Sequence, residues 1–120
     1  MFKGILALAV VTSAAGAMMF HAGLKSSVPA KNAILAASPR TISLTFTEGV
    51  ILPATGISIL KADSTLVEKL VVRAVAGDTT VAGNVTRTLP RGTYIVKWKN
   101  GAKDDGHANT GTFSFKVMGQ

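Results

Sequence analysis

Three stretches of this chain place apolar residues at every second position, which narrows its possible folds more than any other feature does. In Thr41-Ile42-Ser43-Leu44-Thr45-Phe46-Thr47 the apolar side chains Ile42, Leu44 and Phe46 alternate with hydroxyl residues. Successive side chains of a strand point to opposite faces, so this pattern makes a strand with one buried and one wet face. The segment 93–99 repeats it with Tyr94, Val96 and Trp98, and 112–117 repeats it with Phe113, Phe115 and Val117.

Shorter strands are expected at 24–28, 57–61, 70–74 and 84–88, which makes seven in all. Turn formers separate them: Pro29, Ser38-Pro39, Glu48-Gly49, Pro53, Gly77-Asp78, Gly83-Asn84, Pro90-Arg91-Gly92 and Asn100-Gly101. No segment keeps a helical period with caps, although 32–37 is compatible with one helical turn. Seven short strands in about a hundred residues predict an all-β domain, either an antiparallel sandwich or a small Greek-key barrel.

The first twenty residues stand apart. Met1-Phe2-Lys3 forms a short basic start, residues 4–11 are apolar, and 12–17 are mostly small. This is the grammar of a cleavable export signal, and the run from 4 to 20 only touches the lower limit of a membrane span. The expected division is a signal at 1–20 and a mature domain at 21–120, with no stable membrane anchor after cleavage. The small residues Ala15 and Ala17 favour a cut before Met18, whereas a cut before His21 leaves bulky Phe20 at the site. Both positions stay open on the sequence.

Composition removes several functions. The chain has no cysteine, so disulfides and thiolate metal sites are absent. It has no phosphate-binding glycine loop, zinc-protease helix motif or nucleophile elbow, and it is not read as an enzyme. The net charge is +7, but the lysines and arginines are dispersed and few aromatics interleave with them. That is a solvated basic surface rather than a nucleic-acid site.

What remains is a pair of histidines. His21 stands where the signal ends, and His107 closes the tripeptide Asp105-Gly106-His107; the chain has no others. A cut before His21 would create a backbone amine beside an imidazole, a ready chelate that the distant Asp-Gly-His could complete. Asp105 and His107 are one residue apart, so an extended segment sends both side chains to the same face, and Gly106 permits a turn that brings them together. An amine, imidazoles and a carboxylate suit Cu(II), which prefers tetragonal nitrogen and oxygen donors.

Four segments, in order and in register, resemble the CopC family of periplasmic copper-binding proteins: "HAGLKSSVPA", "SPRTISLTFTEGV", "LPRGTYIVKW" and "DDGHANTGTFSFKV". The resemblance implies a cupredoxin-like or immunoglobulin-like β-sandwich that binds one Cu(II) per chain. It implies His21 (amine and imidazole), Asp105 and His107 as ligands, with Glu48 of "TFTEGV" close to the metal and Trp98 near it. It further implies copper carriage or sequestration, with a CopD-like inner-membrane copper transport protein as partner. Two departures stand out. Met1, Met18, Met19 and Met118 form no methionine cluster in the mature region, which argues against a separate Cu(I) site. The loop between Trp98 and Asp105 is also about one residue longer than the family pattern. A copper monooxygenase-like enzyme and a metal-free structural module are the alternatives to be separated by experiment.

Overall fold

The computed structural model describes residues 22–119. His21 and the expected signal at 1–20 lie outside the described residues. The strands are β1 (Leu24–Val28), β2 (Ile34–Leu35), β3 (Thr41–Phe46), β4 (Gly56–Lys61), β5 (Leu66–Lys69), β6 (Val72–Ala76), β7 (Thr80–Asn84), β8 (Gly92–Gly101) and β9 (Ala108–Val117). They form two sheets, ordered β1-β3-β7-β6 and β2-β9-β8-β4-β5. The chain therefore crosses from one sheet to the other after β1, β2, β3, β5 and β7. Every pairing is antiparallel except that of β2 with β9. No helix among the described residues is long and apolar enough to cross a membrane.

The alternation read from the sequence sets the layers. Ile42, Leu44 and Phe46 of β3 and Val81 of β7 meet Ile57 and Ile59 of β4, Val96 and Trp98 of β8, and Phe113, Phe115 and Val117 of β9 in one buried cluster. Each such fully buried side chain contributes about 1.5–3 kcal/mol relative to exposure. Tyr94 joins the cluster, stacks on Phe115 at 5.8 Å, and donates its hydroxyl to the Pro90 carbonyl at 2.6 Å. A tyrosine that bonds backward to the loop leading into its own strand is a recurring corner of immunoglobulin-like sandwiches.

The structure corrects several details. Nine strands are present among the described residues where seven were expected. The segment 32–37 is not a helical turn: Asn32 N–H bonds to the Ser114 carbonyl, and the open edge of β9 takes up the chain through Lys116 N–H to Ala33 and Met118 N–H to Leu35. The strand expected at 84–88 belongs mostly to a loop. There the amides of Thr86 and Arg87 bond to the Glu68 carboxylate and that of Leu89 to the Ser38 hydroxyl, so side chains replace a strand neighbour. The signal at Gly83-Asn84 is not a turn either: Gly83 is a buried strand residue in tight contact with Leu70.

Candidate metal centre

The β8–β9 hairpin is paired from Gly92–Val117 to Gly101–Ala108, and buried Ala102 continues the core up to the base of its turn. Asn100-Gly101, expected to turn, stays in the strand because Asn100 pairs with Asn109 and the Gly101 carbonyl accepts from Ile51 N–H. The turn comes later. Gly106 N–H bonds to the Ala102 carbonyl at 2.8 Å, Ala102 N–H bonds to the His107 carbonyl at 3.0 Å, and Gly106 has a φ of 70°. Only glycine takes that conformation without steric cost, which explains its place between Asp105 and His107.

Asp105 and His107 thus share one exposed turn rather than an extended segment. The Asp105 carboxylate accepts the His107 backbone N–H through Oδ1 at 2.9 Å. This aims the carboxylate along its own loop and fixes the backbone that carries the imidazole. A carboxylate can accept several partners, so that bond is compatible with metal ligation.

The turn is seated on the body of the sandwich. Ala102 bridges to Val50, Lys103 N–H bonds to the Gly49 carbonyl at 2.9 Å, and the Lys103 ammonium lies 3.4 Å from Asp78. That last pair is about half exposed on both sides and contributes little. Glu48, partly buried in the segment after β3, is therefore the chain neighbour of a residue that touches the base of the turn. Among the described residues, no three His, Asp or Glu side chains converge as a metal-binding group. Asp105 and His107 come together, Glu48 lies on the adjoining segment, and His21 is outside the described residues.

The start of the described chain reaches the same end of the sandwich. Ala22 is fully buried, and its carbonyl accepts from Asn100 Nδ2 at 3.0 Å. Gly23 is held by Thr47, whose N–H bonds to the Gly23 carbonyl at 2.8 Å and whose Oγ1 accepts Gly23 N–H at 3.1 Å. Asn100 and Asn109 are residues that sequence reading missed as part of this end. Their signal was available, since Asn100 continues the inward row Tyr94, Val96, Trp98, where an apolar residue is expected.

Trp98 is a core aromatic. Its ring packs edge-on to Phe46 at 5.2 Å and covers Gly111, where any Cβ would overlap the indole.

The CopC domain model matches residues 24–118, which include both sheets and the Asp-Gly-His turn. The chain belongs to the CopC family. Copper resistance protein C of Escherichia coli is 33% identical over 122 residues, covering 96% of this chain and 95% of that protein. The crystal structure of CopC from Methylosinus trichosporium OB3b has a TM-score of 0.76 at 29% identity, over 83% of this chain and 96% of that one. PcoC, a methionine-rich copper resistance protein from Escherichia coli, gives 0.65 at 28% identity over 81% and 98% of the two chains. The family match agrees with the all-β sandwich expected from alternation.

Proposed function

We propose that this CopC-family chain is exported through a signal at residues 1–20 and works in the periplasm as a Cu(II)-binding protein. It carries or sequesters copper in resistance and homeostasis, with copper as cargo and no turnover. His21 supplies an amine and an imidazole, Asp105 a carboxylate and His107 a second imidazole, one ion per chain, with Glu48 beside them. The partner that receives or delivers the ion is a CopD-like inner-membrane transport protein.

The observation that carries this reading is the placement of Ala22. It is joined to His21 by one peptide bond and is tied to the strand whose loop carries Asp105 and His107. The donor chemistry adds support: nitrogen and oxygen suit Cu(II), whereas Cu(I) favours soft thioethers, and the mature region has no methionine cluster.

The test is a chelator-competition titration of the exported protein, with its start fixed by intact mass. The expected result is a chain beginning at His21 that binds one Cu(II) tightly and Cu(I) poorly. His107→Ala is expected to abolish tight Cu(II) binding while circular dichroism stays that of the sandwich. A mature chain that begins at Met18, or a His107→Ala variant with unchanged affinity and electron paramagnetic resonance spectrum, would overturn the ligand set.

A further inference from the structure

The inward row of β8 runs Tyr94, Val96, Trp98 and then Asn100, which is 2% exposed. Directly opposite on β9 stands Asn109, beyond Gly111, Phe113, Phe115 and Val117. Apolar side chains would continue the core here at no desolvation cost, whereas a buried amide must find partners for both its ends. Asn100 finds them: Nδ2 donates to the Ala22 carbonyl at 3.0 Å, and Oδ1 accepts from Asn109 Nδ2 at 3.1 Å. Asn109 Nδ2 also donates to the His107 carbonyl at 3.2 Å. The Asn109 amide nitrogen has two hydrogens, so both bonds are accommodated, and reversing either amide would put like groups in contact. The result is an unbroken line from the His107 backbone through two side-chain amides to the Ala22 backbone.

We infer that Asn100 and Asn109 are positioning residues that set the distance between the amino-terminal chelate and the Asp105-His107 turn. The inference rests on the Cu(II) reading above and assigns the asparagines no contact with the metal. Chain connectivity leaves the start of the mature domain one residue from Ala22, and a residue step is only about 3.8 Å. Fixing the Ala22 carbonyl therefore limits where the preceding amine and imidazole can go. Thr47 grips Gly23 from the other sheet, so Asn100 closes the second side of a clamp on the same two residues. Groups that orient metal ligands without touching the metal commonly govern affinity by about 10–100-fold.

The experiment uses the full mature chain, wild type against Asn100→Val, with Asn109→Ala as a second variant at a less buried position. Three readings are taken: Cu(II) dissociation constants by chelator competition, the Cu(II) paramagnetic resonance spectrum, and nuclear magnetic resonance order at Ala22 and Gly23 in the metal-free protein. All are taken well below the unfolding transition. Tyr94→Phe, which weakens the opposite end of the same strand, controls for loss of stability alone. Asn100→Val is expected to raise the dissociation constant about 10–100-fold, change the spectrum and loosen Ala22, with Tyr94→Phe at the wild-type value. If Asn100→Val fails to fold, Asn109→Ala is read in its place, with the same signs expected. Unchanged affinity in a folded asparagine variant, or the same loss in Tyr94→Phe, overturns the positioning role while the Cu(II) reading stands. A wild-type chain that binds no Cu(II) overturns both.

Discussion

The two ends of β8 face inward with the same strand geometry but close the sandwich by different means. At one end Tyr94 sends a single polar atom out of an apolar ring, bonds to Pro90 four residues earlier, and leaves the core dry. At the other end Asn100 and Asn109 bring amides inside and spend their hydrogen bonds on the starts and ends of other segments. The tyrosine end is a local closure, made within one corner of the chain. The asparagine end joins residues 78 positions apart in sequence, Ala22 and Asn100. The difference teaches that one strand can close a core at one end and gather distant segments at the other.

Removing the ring that backs Tyr94 tests whether the two ends are coupled through the core. Phe115→Ala, at a position 1% exposed and stacked on Tyr94, is expected to cost about 3–5 kcal/mol in urea unfolding. Both ends should loosen together; a loss confined to the tyrosine end would mean that the sheets are not one cooperative unit. A more selective change is Tyr94→Phe, which keeps the ring and deletes the hydroxyl. It should cost about 1 kcal/mol of stability and leave Cu(II) affinity untouched, as measured by thermal melts and chelator competition.

The smallest effect is expected in the loop that feeds the tyrosine corner. Burial pushes the Glu68 carboxyl up, but bonds from the Thr86 hydroxyl and the Thr86 and Arg87 amides, with the Arg87 charge, outweigh it and hold Glu68 below the usual glutamate range. A carboxylate favoured in the folded state stabilises above its ordinary value, and that contribution disappears as pH falls through the lowered folded value. Glu68→Gln should therefore cost less than about 1 kcal/mol at pH 7 and nothing measurable once the wild-type carboxyl is protonated. Denaturation at a series of pH values tests it. A difference between the two proteins that grows on acidification would contradict the assigned hydrogen bonds.

Alternation made β3, β8 and β9 legible because each has one face in the core and one in water. It failed for 66–69 and 84–88, where chemistry other than burial decides. Leu66 is exposed and Glu68 turns its carboxylate to the loop, so β5 carries little periodic signal, and its backbone pairing with β4 supplies what the side chains do not announce. The Asp-Gly-His turn was legible as a motif because glycine at positive φ leaves a mark in the sequence. The Asn100–Asn109 connection was only half legible: Asn100 continues the inward row of β8, but a strand-borne Asn-Gly and a turn-borne Asn-Gly are spelled alike, and only the long-range partners separate them.

The packing of Trp98 has an optical consequence. It is the chain's single tryptophan, shielded by Phe46 on one side and by the bare backbone of Gly111 on the other, two residues from Asn109. An indole so enclosed emits at short wavelength until the sheets part, so unlabelled protein reports its own unfolding. Cu(II) is paramagnetic and quenches nearby excited states, so an ion held at the Asn100 end would dim the same emission without shifting it. A shift in colour and a loss of brightness would then separate unfolding from metal loading in one cuvette.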